Sequence, residues 1–118
     1  MDYGPKLPIS KEVGQEKHYP GETFGMAARR WAEALSDDAH HADRLFHIFA
    51  EQRFLLAGRV QRAAGSPDNV TAFNCFVSDT IPDDMGGIMD KVKEAALTMK
   101  LGGGIGYNFG TIRPRGSI

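Results

Sequence analysis

Residues 70–109 constrain the fold more than any other stretch of this sequence. Val70-Thr71-Ala72-Phe73-Asn74-Cys75-Phe76-Val77 is short, β-branched and aromatic, and apolar on both faces. That composition predicts a strand buried on both sides, as in a barrel or a covered sheet. Pro82-Asp83-Asp84 supplies a stop followed by a helix start. Ile88, Val92, Ala95, Ala96 and Met99 then recur at helical spacing up to Gly102. Ile105-Gly106-Tyr107-Asn108-Phe109 reads as a second strand or extended segment. Strand, helix and strand in this order make one βαβ unit, because parallel strands need a crossover between them. Two parallel strands leave open edges that require further partners. The sequence runs to Arg115-Gly116-Ser117-Ile118 without a closing element, so the expectation is an α/β fold whose sheet is incomplete.

The residues before this unit divide by pattern. Residues 1–21 hold Gly4, Pro5, Pro8, Gly14, Pro20 and Gly21 with no sustained period, and are expected to form an extended arm or linker. Residues 22–57 read as part of a helical domain. Phe24, Ala27, Ala28, Trp31 and Leu35 mark one apolar stripe, with Arg29, Arg30 and Glu33 on the other side. Ser36-Asp37-Asp38 ends that helix and offers an N-cap for a second, whose stripe is Leu45, Phe46, Ile48 and Phe49, with Phe54 as a candidate member. A short joint between two amphipathic helices predicts a hairpin. Gly58 and the 63–69 stretch mark loops, and residues 58–118 form the start of the βαβ part.

Composition narrows the function classes. A hydrophobic content of 42% and a charged content of 25% are ordinary for a globular protein, and a net charge of −1 gives no general reason to bind nucleic acid or an anionic membrane. No apolar run is long enough to span a bilayer, and the N-terminus lacks a signal-peptide pattern, so a cytoplasmic protein is the default. Cys75 is the only cysteine, which excludes an internal disulfide and a cysteine-only metal site. A zinc site from His40, His41 and His47 is weighed against a solvated helix start, and the second reading is favoured.

Four features could carry chemistry. Cys75, mid-strand between Phe73 and Phe76, is either a small buried hydrophobe or a reactive thiol, and the local sequence supplies no base or dipole to activate it. Gly102-Gly103-Gly104-Ile105-Gly106 permits positive φ angles and close approach of a ligand, yet follows a helix and matches neither nucleotide-binding glycine motif. Its alternative is a flexible helix-to-strand connection. Arg113-Pro114-Arg115 presents forked donors suited to phosphate or carboxylate, or is a solvated basic loop. Asp83-Asp84 is explained by helix capping alone.

The order of these motifs says more than any one of them. Phe54-Leu55-Leu56-Ala57-Gly58-Arg59, the 70–77 strand, Asp83-Asp84-Met85-Gly86-Gly87-Ile88, the 102–109 glycine-rich segment and Ile112-Arg113-Pro114-Arg115-Gly116 follow one another. This succession resembles the ribonucleotide reductase large (alpha) subunit, from its N-terminal helical domain into the first βαβ part of its ten-stranded α/β barrel. It looks closest to phage and bacterial forms, including adenosylcobalamin-dependent class II enzymes. The resemblance implies that Cys75 matches the first-strand cysteine that reduces the ribose together with a second cysteine, becoming a disulfide. Asn74, Cys75 and Gly104 would face the ribonucleotide substrate. Asp83, Met85 and Arg113 would belong to the site where a deoxynucleoside triphosphate effector sets base specificity, with Arg113 on the phosphates. On this resemblance, no counterpart of the family's ATP-sensing cone domain is expected within these residues.

The same resemblance also implies what one cysteine cannot supply. The family's chemistry needs a radical-bearing cysteine, the second redox cysteine and an active-site Asn/Glu pair. Ribonucleoside-diphosphate reductase activity is therefore expected only together with the remaining part of the alpha chain, in a subunit expected to be a homodimer. Adenosylcobalamin would serve the complete enzyme and is not expected to bind these residues alone. Two further readings stay open: a non-catalytic nucleotide-binding regulatory protein, and an inactive remnant.

Overall fold

The computed structural model describes residues 3–117, with the Lys17 side chain left aside. It divides into two compact units, Met1–Asp68 and Asn69–Ile118.

The first unit is helical. Helix α1 spans Pro8–Lys17, α2 Phe24–Leu35, α3 Ala39–Ala50 and α4 Gly58–Ala63. The α2–α3 hairpin follows from the two apolar stripes, and each of its helices starts on a side-chain cap. The Thr23 side chain accepts from the Met26 N–H at the start of α2, and Asp38 accepts from the His41 N–H at 2.8 Å at the start of α3. Ala27, Ala28, Trp31, Ala32, Phe49 and Ala50 are buried together and form the core. Four small alanines let α2 and α3 approach around Phe49 and the larger Trp31, whose indole N–H donates to the Gln61 carbonyl at 2.7 Å. Leu35 and Phe54, expected in these stripes, are instead exposed, since both sit past the ends of the packed seam.

Arg30 departs further from its expected solvent face. Its guanidinium is largely buried, grips Glu22 through Nε–Oε1 at 2.8 Å and Nη2–Oε2 at 3.0 Å, and donates from Nη1 to the carbonyls of Gln61 and Ala64. One side chain thus ties the α2 entry turn to α4.

Two elements of this unit differ from expectation. The reading of residues 1–21 as an extended arm is corrected by α1, a ten-residue helix. Proline is accommodated in its first turn, where no intrahelical donor is needed, and Gly14 sits mid-helix, where it costs about 1 kcal/mol relative to alanine. Both residues read as breakers, yet neither prevents the helix. Likewise Gly58, expected in a loop, opens α4.

The second unit is the βαβ. Strand β1 spans Cys75–Thr80, helix α5 Met85–Lys100 and strand β2 Gly104–Asn108, and the two strands pair in parallel as an unclosed two-stranded sheet. The architecture of the chain is therefore mixed helix with parallel strands. Asp84 caps α5 by accepting from the Gly87 N–H at 2.8 Å. At the other end, Gly102 turns at φ +86°, its N–H bonded to the Met99 carbonyl and that of Gly103 to the Thr98 carbonyl. This double closure is a Schellman motif that requires glycine-like freedom at residue 102.

Strand β1 begins five residues later than the expected 70–77 strand, and the difference has a geometric cause. Closure at Gly102–Gly103 delivers Gly104 opposite Cys75, and pairing continues Phe76 with Ile105 and Val77 with Gly106 before an irregularity at Thr80–Asn108. Residues 70–74 lie before the first paired residue. The expectation of burial on both faces is also corrected. Val77 is 95% and Phe73 71% exposed, and Cys75 is exposed, because α5 covers only one face of the two strands. No helix among the described residues is long and apolar enough to cross a membrane.

Candidate functional site

The residues singled out by sequence gather at two places, both in the βαβ unit. At the first, the parallel register sets Cys75 opposite Gly104, and the Gly104 N–H donates to the Asn74 carbonyl at 2.8 Å. A methyl group on Gly104 would stand 3.8 Å from Cys75 Sγ and 3.5 Å from the Asn74 oxygen. The missing side chain at residue 104 leaves the surface beside the thiol open. One residue earlier the constraint is tighter: a methyl on Gly103 would lie 2.6 Å from the Phe76 ring, so glycine is demanded there by close approach. Asn74, Cys75 and Gly104 therefore form one patch, with an accessible thiol at its centre.

At the second place, Arg113 Nε meets Asp83 Oδ2 at 2.7 Å, the Arg113 N–H donates to Oδ1 at 3.3 Å, and Nη2 donates to the Asp83 carbonyl at 3.2 Å. Met85, two residues on, opens α5 with its side chain 68% exposed. The loop after β2 is thus clipped to the loop before α5. The arginine is not a free cation in solvent: an anionic ligand would meet it already paired with a carboxylate. Arg115 is exposed beside it.

Sequence reading missed a third polar group. Ser78 Oγ lies 2.9 Å from both Glu94 oxygens, and Lys91 Nζ donates to Ser78 Oγ at 2.8 Å and to Glu94 at 2.9 Å. Tyr107 donates its hydroxyl to the Lys91 carbonyl at 2.7 Å. The hydrogen bond from Lys91 holds Glu94 below the ordinary carboxylate range, with Ser78 adding to it, and Glu94 in turn raises Lys91. The lysine is therefore a fixed ammonium and cannot act as a base toward Ser78, which makes the group a clasp between α5 and both strands. Its sequence signal was the Lys91/Glu94 pair at i, i+3, which also fits any solvated helix face.

The histidines do not converge. His40 and His47 are exposed, His41 pairs with Asp37 at 3.4 Å, and no group of three or more His, Cys, Asp or Glu suited to a metal exists among the described residues.

A helical unit followed by a parallel βαβ with a glycine-rich crossover end defines an α/β class similar to the barrel of a ribonucleotide reductase alpha subunit. In family terms, residues 73–118 match the model described as ribonucleotide reductase, barrel domain. The alpha subunit of ribonucleoside-diphosphate reductase from Helicobacter pylori is 48% identical over 44 residues, which is 37% of this chain and 6% of that protein. The large subunit from Vaccinia virus is 32% identical over 111 residues, 94% of this chain and 14% of the relative. Among solved structures, the Actinobacillus ureae class Id ribonucleotide reductase alpha subunit superposes with a TM-score of 0.72 at 28% identity, covering 91% of this chain and 21% of that one. Homologues and fold together indicate the large-subunit region of this enzyme family. The chain spans between 6% and 14% of the length of these two curated relatives.

Proposed function

We propose that this chain supplies the first βαβ part of a ribonucleotide reductase catalytic barrel, within a subunit that reduces ribonucleotides to deoxyribonucleotides. The observation that carries the proposal is the coincidence of the barrel-domain match over residues 73–118 with a parallel pairing that puts the sole cysteine opposite Gly104. In this reading Cys75 is one of two thiols that give up electrons to the ribose and close to a disulfide, the second thiol coming from elsewhere in the complete barrel. Asn74 and Gly104 border the substrate, glycine at 104 leaving room for the sugar beside the sulfur. The exposure of Cys75, Phe73 and Val77 supports the reading, because substrate and further strands need those surfaces.

The Asp83–Met85–Arg113 cluster is proposed as part of the site for a deoxynucleoside triphosphate effector. The guanidinium would bridge Asp83 and phosphate oxygens, and the exposed Met85 would pack on the nucleoside. The partners proposed are the remainder of the alpha chain and a second copy of the completed subunit, in the cytoplasm. Adenosylcobalamin is the radical source proposed for the complete enzyme, with a separate metal-containing subunit as the alternative. None of residues 69–117 lines the clefts bordered by Tyr3, His18 and Phe24 or by Arg29 and Phe46, and no step is routed through a corrinoid.

Mixing this chain with a polypeptide carrying the rest of the barrel tests the proposal. Restored nucleotide reduction is expected, and an assembled but inactive mixture overturns it. The regulatory alternative is separated by deoxynucleotide binding to the chain alone. Binding lost on Arg113→Ala without any reductase activity in the mixture favours that alternative.

A further inference from the structure

In the helical unit, a cleft of about 410 Å³ opens between α1 and the ends of α2 and α3. Ile9, Val13, Phe24 and Leu55 form its apolar wall, and His18 and Gln52 also line it. Among the described residues, none of those lining it is Asp, Glu, Lys or Arg. Its volume lies in the range of small-molecule sites, about 300–1,000 Å³, and it is an open groove, with Ile9 62% and Leu55 50% exposed and Gln52 at the surface.

Two observations single out its polar groups. Gln52 adopts φ 56°, alone among the described non-glycine residues in the left-handed region. It closes α3, its N–H bonded to the Phe49 carbonyl and that of Arg53 to the Ile48 carbonyl, both at 3.0 Å. Glycine is the ordinary residue at this position, and a side chain held there against backbone preference is a pointer to function. His18 is fixed between rings, 6.0 Å from Phe24 and 5.8 Å from Trp31. Burial lowers its pKa, Glu22 opposing and Arg30 adding to the effect. At neutral pH it then offers one N–H donor and one nitrogen acceptor.

We propose that this cleft binds a small, uncharged, planar ligand with a donor and an acceptor on one edge, of which a primary aromatic amide is the simplest. The apolar wall takes the ring, and the Gln52 amide with the His18 imidazole takes the polar edge. A charged ligand is disfavoured because nothing lining the cleft would neutralise it. The inference stands apart from the reductase reading and uses none of residues 69–117.

The test titrates the whole 118-residue protein, isotope-labelled for NMR, with benzamide and separately with benzoate, which has the same ring and a charge. Saturable amide shifts around residues 9–24 and 52–56 are expected for benzamide, with binding about tenfold weaker for benzoate, a difference of roughly 1.4 kcal/mol. Gln52→Gly should raise the Tm yet weaken benzamide binding about fivefold. Gln52→Asn, which keeps an amide and tolerates the left-handed backbone, should bind more tightly than the glycine variant. The proposal is overturned by absence of saturable shifts with benzamide, by equal binding of benzoate, or by unchanged affinity in Gln52→Gly.

Discussion

Replacing Arg30 by methionine should cost the helical unit far more than the loss of an exposed ion pair. Arg30 and Glu22 side chains are only 15% and 10% exposed, and the guanidinium satisfies one carboxylate and two backbone carbonyls at once. Methionine keeps the stem's packing but leaves the Glu22 carboxylate without its partner. Breaking a buried pair from one side costs about 3–5 kcal/mol, a large share of the roughly 5–15 kcal/mol that holds a domain folded. For a unit of this size each kcal/mol shifts the midpoint by about 4–8 °C, so a drop of at least ~12 °C is expected. Thermal and urea denaturation followed by far-UV dichroism and by the fluorescence of Trp31, the one tryptophan, measures it directly. The double variant Arg30→Met with Glu22→Gln should recover part of the loss, since an uncharged amide is cheaper to bury. A loss below about 1 kcal/mol, the range of surface pairs, or no recovery in the double variant, would refute this account of the Arg30 clasp.

Two further outcomes follow from the same geometry. Burial acts to raise the Glu22 pKa but is outweighed by hydrogen bonds from Arg30 and from the Tyr19 N–H, so the folded value is depressed. A depressed carboxylate stabilises above its unfolded value of roughly 4.3 and loses that contribution as pH falls through the folded value. Acid titration of stability should therefore show a decline that Glu22→Gln flattens. In the other unit, Gly103→Ala would drive a methyl into the Phe76 ring and toward Thr98. A cost of about 1–3 kcal/mol is expected, read as faster amide exchange across β1 and β2, and unchanged exchange would contradict the close-approach argument.

How much of this was legible in the sequence depended on which force set each feature. Helices α2, α3 and α5 were visible because their apolar residues recur at helical spacing and Asp38 and Asp84 stand where caps belong. Helix α1 was hidden by Pro8 and Gly14, residues whose local meaning is reversed by position within the helix. The start of β1 was misplaced because register is a property of the pair. Nothing within Val70–Val77 says that Gly104 will arrive opposite Cys75, since that depends on the turn at Gly102. The Asp83–Arg113 contact spans thirty residues and was reachable only through family likeness. The Ser78–Lys91–Glu94–Tyr107 clasp gave no sequence signal beyond the Lys91/Glu94 spacing, which any solvated helix face can show. Glycine density at 102–106 was read as permitting positive φ, which Gly102 adopts at +86°, and close approach of a ligand. The close approach seen at Gly103 is instead to the Phe76 ring of the same unit.

The central claim, that the exposed thiol on β1 is a reducing group of a reductase barrel, is tested most directly by Cys75→Ser in the enzyme reconstituted with the rest of the barrel. Serine preserves size and strand pairing but cannot form the disulfide. The account predicts loss of nucleotide reduction with assembly retained, and undiminished turnover by the serine variant would contradict it.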